Sequence, residues 1–184
     1  MRCCLSVAVV MMLLLAAAEA QVESGPPVDQ TITTLKVQPV TNGQAGEAVD
    51  IATQRTDSPT VYLFIPAAKF DRPAGRFVKS LDTAIQKRQM LHPLLQVVIV
   101  WMVDDAAAGA TRVSQIQGSL QLAASQWTVC KVDTAGPEGW AVNDRASVTA
   151  VVVGKKVVTA KFGFDSINDT VVPMVDAAVA KIAP

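Results

Sequence analysis

Two stretches of the chain show no polar alternation, Pro59-TVYLFI and LQVVIVWMV, and the rest of the pattern reads outward from them. Unbroken apolar runs of this length suit strands covered on both faces. The first is bounded by Pro59 and Pro66. After a polar loop, Pro73 opens AGRFVKSLDTAIQKRQM, where Phe77, Leu81 and Ile85 recur at four-residue spacing. That spacing predicts a helix with one apolar stripe and proline in its first turn. Beyond the second run, Asp104-Asp105 predicts a capped helix ending near Ser125, and WTVCKV a third strand. Gly136-Pro137-Glu138-Gly139 predicts a turn and short helix, and SVTAVVV with KVVTAKF a hairpin across Gly154-Lys155. Asn168 to Ile182 predicts a closing helix, with apolar positions at Val171, Val172, Val175, Ala178, Val179 and Ile182.

Ahead of this block the pattern weakens. TITTLKVQPV alternates as a first, edge-type strand with Pro39 marking its end, and NGQAGEAVDIATQ reads as a turn and a short helical stretch. Gln21 to Gln30 has no periodicity and contains Gly25-Pro26-Pro27, the composition of a flexible lead-in. The order from Pro59 is β-α-β-α-β-(short α)-β-β-α. It predicts an α/β three-layer sandwich around a mixed, mostly parallel central sheet.

The first 20 residues of the 184 read differently: Arg2, an apolar run from Leu5 to Ala18, then Ala18-Glu19-Ala20 before Gln21. This predicts a signal peptide cleaved after Ala20, an N-terminal lead-in and edge strand over 21–44, and one domain over 45–184. The expected location is periplasmic or extracellular, with no stable membrane span after cleavage; retention of the leader as an anchor is the alternative. The run is shorter than the roughly 20 apolar residues of a spanning helix.

Composition narrows the partners. Hydrophobic residues make up 51% and charged residues 17%, which excludes a disordered chain. Sixteen Lys and Arg balance sixteen Asp and Glu, and the leader removes one of each sign, so the neutrality persists. A neutral chain offers no electrostatic footprint for nucleic acid or anionic lipid. Cys3 and Cys4 belong to the leader, which leaves Cys130 and no intramolecular disulfide. The one histidine, His92, has no clustered acids or thiols at metal-site spacing, and no cofactor is implied.

PTVYLFIP followed by a loop and helix, then VVIVWMVDD, VCKVD, GWAVNDRASVTAVVV and GKKVV, resembles the thioredoxin-like superfamily. The likeness is to its redoxin branch, which includes peroxiredoxins and membrane-anchored thiol reductases, and covers roughly Ala45 to Ile182. In that family the first apolar strand ends beside the reactive cysteine. A C-x-x-C register laid on this chain falls near Lys69 and Arg72; a peroxiredoxin-like register laid on Pro66 puts Phe70 and Pro73 at the threonine and cysteine. Neither register yields a thiol. The position of the family's cis-proline falls near Ala146 or Ser147, neither of them proline. The resemblance therefore implies a redoxin scaffold without redox chemistry.

Several residues carry competing readings. Cys130 is a candidate redox sensor or peroxidatic thiol, against the reading of a small core residue in mid-strand. Asp104 and Asp105 could hold a cation or cap a helix. Lys69, Asp71, Arg72 and Arg76 crowd the loop and first helical turn where the family's active site lies. Their charges could attract an anionic ligand or a partner's carboxylate, or form an ordinary solvated loop. Ser147 and Thr149 could add hydroxyl hydrogen bonds across the cleft. Trp101 and Trp127 read as core, and Trp140 as a candidate exposed contact. The leading expectation is an exported, non-catalytic domain that acts by binding a protein or ligand in the cell envelope. The alternatives are a thiol-dependent oxidoreductase or peroxidase using Cys130, and a structural envelope protein.

Overall fold

The strand β4 (Thr60–Pro66) is the axis of the molecule, and its alternation explains both cores. Val61, Leu63 and Ile65 point to one face of the sheet, Tyr62 and Phe64 to the other, and all five are buried. The computed structural model describes residues 21–132 and 136–184. Its other strands are β1 (Lys36–Thr41), β2 (Gln44–Ala45), β3 (Val49–Asp50), β5 (Gln96–Val103), β6 (Ser125–Lys131), β7 (Val148–Gly154) and β8 (Val157–Phe164). The helices are α1 (Ile51–Gln54), α2 (Arg72–Gln89), α3 (Ala106–Leu120) and α4 (Val172–Val179).

The strands form one sheet in the order β2-β1-β6-β5-β4-β7-β8, with β3 also on β1. Parallel pairing is confined to β4, β5 and β6; every pairing outside this centre is antiparallel. The sheet is thus mixed as expected, with a narrower parallel part than the element order suggested. The steps β4→β5→β6 run the same way across the sheet, so right-handed crossovers put α2 and α3 on one face. Phe77, Val78, Leu81 and Ile85 of α2, Val113 and Ile116 of α3, and Val175 and Val179 of α4 share one core there. The return from β6 to β7 crosses the opposite face. That third layer is built mostly without helix, from Ile32, Leu35, α1, Trp140 and Val142 over Tyr62, Phe64, Val98 and Val100.

Four expectations change. The segment after Gln21 is not a free lead-in: Val22 N–H donates to Gly163 O (2.9 Å), Asp29 N–H to Val158 O (2.8 Å) and Ile32 N–H to Lys156 O (2.9 Å). It runs along β8 and covers the otherwise open edge of the sheet. Gly163 permits the crossing, because a Cβ there would lie 2.3 Å from Val22 O. The helix expected to end near Ser125 stops at Leu120, where Gln121 turns left-handed (φ 49°) and frees the next residues to bond elsewhere. The closing helix is shorter too, with a 3₁₀ turn over Asp169–Val171 ahead of α4. Of the expected short helix after Gly136 there is only a turn, in which Gly139 (φ 77°) and Ala141 (φ 45°) are left-handed.

Candidate functional site

The carboxyl end of β4 delivers the chain to a 3₁₀ turn (Ala67–Lys69), then Phe70 and the start of α2. Asp71 is the N-cap: its Oδ1 accepts from Ala74 N–H at 2.9 Å, and Pro73 follows in the first turn. This satisfies one of the free amides at the helix start and fixes the direction of α2. Phe70 anchors the loop edge-on against Trp101, with ring centroids 5.0 Å apart.

Lys69, Asp71, Arg72 and Arg76 are brought together here, with unequal freedom. Lys69 Nζ donates to the carbonyls of Asp144 and Ala146, tying this loop to the segment before β7. Asp71 is held as the cap. Arg72 and Arg76 are exposed and stand one helical turn apart on α2. Neither takes part in an ion pair; those among the described residues are Arg88–Asp176 and Lys161–Glu23.

Ser147 and Thr149 do not join them. Ser147 Oγ donates to Asp165 O. Thr149 is fully buried, its hydroxyl 2.6 Å from Ser24 Oγ, so the lead-in segment occupies the group expected to face the cleft. The backbone carbonyl of Ala146 is what meets the candidate loop.

Two concavities flank the loop. One, of about 620 Å³, lies at the carboxyl ends of β4 and β5, with Ala67, Trp101, Asp105, Asn143 and Asp144 on its wall. The other, of about 790 Å³, is a groove between α2 and α3 with Phe70, Ile116 and Leu120 among its apolar lining. Arg72, Arg76 and Lys79 line it from α2 and Arg112 from α3. Sequence reading did not find Lys79 or Arg112 as members of this site. Lys79 follows Arg76 at a three-residue step on the same helix face, which was a readable signal. Arg112 comes from the other helix and had none.

Cys130 lies 6% exposed in β6, its thiol near Lys36 O at 3.5 Å. Burial pushes that thiol up to about 11, away from the thiolate a redox centre needs. Asp105 caps α3, accepting from Ala107 and Ala108 N–H at 2.8 and 3.1 Å, while Asp104 is exposed. His92 Nε2 lies 2.6 Å from Pro184 O. No group of three His, Cys, Asp or Glu among the described residues is placed to hold a metal. No helix among them is long and apolar enough to cross a membrane.

Trp101 and Trp127 are buried in an edge-on pair with centroids 5.9 Å apart. Trp140 is a correction, for it is fully buried and offers no contact surface. Its indole covers Tyr62 and Phe64, both with centroids at 5.0 Å, and Nε1–H donates to Thr34 O at 3.1 Å. The left-handed turn around Gly139 directs the ring inward onto the sheet face that no long helix covers.

No protein-family model matches the chain, and no curated protein matches it. Solved structures do. Reduced Prx3 from Vibrio vulnificus superposes with a TM-score of 0.59 at 12% identity, over 84% of this chain and 98% of that one. The peroxidoxin BcpB from Mycobacterium tuberculosis gives 0.54 at 13% identity, over 86% and 99%. A secreted M. tuberculosis disulfide oxidoreductase homologous to E. coli DsbE gives 0.52 at 12% identity, over 80% and 95%. At these identities the likeness is one of fold. The chain has a thioredoxin-like fold, and its neighbours are redoxins.

Proposed function

We propose that this chain is an exported thioredoxin-like domain that works by binding a protein or ligand and not by thiol chemistry. The observation that carries this reading is the state of its thiols. Both redoxin registers fall on Lys69 and Arg72 or on Phe70 and Pro73. The thiol that remains after the leader, Cys130, is buried with its ionisation pushed up to about 11. Fold alone does not assign activity, so the argument rests on the site. At that site the scaffold holds a capped helix start, exposed cations and concavities on both sides.

Export rests on the leader pattern, with cleavage after Ala20 and a folded part that begins at the lead-in. One structural neighbour is itself a secreted protein. The test is turnover of peroxide, and of a disulfide substrate such as insulin, by the chain without residues 1–20. The expected result is no turnover above buffer. Turnover abolished by Cys130→Ser would replace this reading with the thiol-dependent alternative.

A further inference from the structure

The groove between α2 and α3 combines an apolar lining with a local excess of positive charge in a chain that is neutral overall. Four cations line it: Arg72, Arg76 and Lys79 from α2, and Arg112 from α3. The carboxylates on its wall are Asp71, whose side chain caps α2, and the exposed Asp169. Two of the cations have local partners, since Lys79 Nζ donates to Gln121 O at 3.0 Å and Arg112 to Gln115 Oε1 at 3.1 Å. None is in an ion pair among the described residues. Phe70, Ile116 and Leu120 provide the apolar lining, and Gly75 leaves it open: a Cβ there would meet only Phe70 and Leu120, at 3.6 and 3.9 Å.

We propose that this groove takes an extended acidic segment of a partner protein, with carboxylates along the α2 wall and apolar side chains between the helices. The proposal rests on the binding reading above and names the partner's chemistry. Spacing distinguishes a peptide from a point anion. Arg72 and Arg76 are separated by about 6 Å along the helix axis and Arg76 and Lys79 by about 4.5 Å, all on one face. Alternate residues of an extended strand repeat at about 6.7 Å, so acids at every second position follow this row while the residues between them face the other way. A single phosphate or carboxylate engages one end of such a row and leaves the apolar lining empty. Charge complementarity of this kind sets orientation and on-rate.

The probe is a fluorescein-labelled peptide of alternating glutamate and leucine, titrated with the chain lacking residues 1–20 and read by anisotropy. Saturable binding is expected, lost for a lysine–leucine peptide and weakened several-fold when serine replaces leucine. The Arg72→Glu/Arg76→Glu pair is expected to weaken it about tenfold or more. Acids near a helix start agree with the helix dipole, so this variant keeps its fold. Lys87→Glu, on the last turn of α2, leaves binding unchanged. Equal binding of acidic and basic peptides overturns the proposal, as does indifference to the charge reversal. Millimolar inorganic phosphate that displaces the peptide completely also overturns it, by marking a point-anion site. Absence of peptide binding together with absence of turnover sinks this inference alone; turnover sinks the binding reading beneath it.

Discussion

Ser125 at the start of β6 donates its hydroxyl to Oδ1 of Asp82, on α2, at 2.6 Å. Asp82 is fully buried, and it also accepts from Ala124 N–H at 2.9 Å, Ala123 N–H at 3.1 Å and Gln86 Nε2 at 2.7 Å. One carboxyl group thus joins the helix that carries Arg72 and Arg76 to the chain leaving α3. Those two helices form the walls of the basic groove, so the link ties one wall to the segment that leaves the other.

Asp82→Ala removes the acceptor of the buried Ala124 amide and of the part-buried Ala123 amide and Ser125 hydroxyl. Stranding a buried donor in this way costs about 1–3 kcal/mol. Asp82→Asn keeps one carbonyl oxygen as acceptor and turns its amide NH2 toward the remaining donors, so its loss is smaller. Urea unfolding monitored by circular dichroism measures both. An Asp82→Ala unfolding free energy within about 1 kcal/mol of the parent's would show that the network does not hold the helices.

The Ser24–Thr149 contact makes a second prediction, about the segment that begins the described chain. Ser24 Oγ also accepts from Asn143 N–H at 2.8 Å, so one hydroxyl docks the lead-in onto both β7 and the loop before it. Ser24→Ala strands the buried Thr149 hydroxyl and the half-buried Asn143 amide, at a cost of about 1–3 kcal/mol. Thr149→Val should add little once Ser24 has been removed, because contacting residues couple. Hydrogen exchange at the Asn143 amide reports the docking directly. Unchanged protection in Ser24→Ala would mean that the backbone bonds along β8 suffice.

Legibility in the sequence follows the range of the forces involved. β4, α2 and β5 could be read because their patterns are local: an unbroken apolar run, or a four-residue repeat such as Phe77, Leu81 and Ile85, has few structural solutions. Asp105 and Asp71 act as caps within their own helix starts and obey local rules as well. Asp82 sits beside Leu81 and looks like an ordinary polar helix position; its partners lie about forty residues away. The lead-in has no periodicity because backbone hydrogen bonds, which carry no side-chain signature, hold most of it. Trp140 departs from the expected exposure for a related reason, since flanking glycine marks a turn without telling which way the turn faces. Within the site, Lys69, Asp71, Arg72 and Arg76 are legible because they lie close together along the chain. Arg112 arrives through a crossover, and the hydroxyls of Ser147 and Thr149 are claimed by residues 18 and 125 positions away.

Trp140 is the keystone of the face that lacks a long helix. Trp140→Ala removes the cover from Tyr62 and Phe64 and the hydrogen bond to Thr34 O. Large-to-small changes of this kind cost about 3–5 kcal/mol. Trp140→Phe retains an aromatic ring and should cost roughly half as much, having lost part of the cover and the hydrogen bond to Thr34 O. Denaturant midpoints order the two variants. Native-state iodide quenching of the parent should be weak, since Trp101, Trp127 and Trp140 are all buried; strong quenching would contradict the inward placement of Trp140.

Alkaline pH should weaken the fold in two overlapping steps. Burial raises the Cys130 thiol from its usual value near 9 to about 11. It also raises the Tyr62 phenol from 10 to about 12, opposed in part by the Arg55 charge and the hydrogen bond with Thr60. Both groups are neutral when protonated, so the folded state holds its proton at pH values where the unfolded chain has released it. Their contribution is complete below the unfolded values and falls as pH rises, between about 9 and 11 for Cys130 and about 10 and 12 for Tyr62. Cys130→Ala should lower the absolute stability through a small cavity yet flatten its decline across the first window. Tyr62→Phe should flatten the second. The informative quantity is therefore the slope of unfolding free energy against pH, measured by urea titration at half-unit intervals from pH 8 upward. Alkylation provides the independent check, for Cys130 should react slowly in the folded protein at pH 8 and rapidly once urea unfolds it. A parent and Cys130→Ala with identical slopes would place the thiol in contact with water, and the thiol-dependent reading would regain its footing.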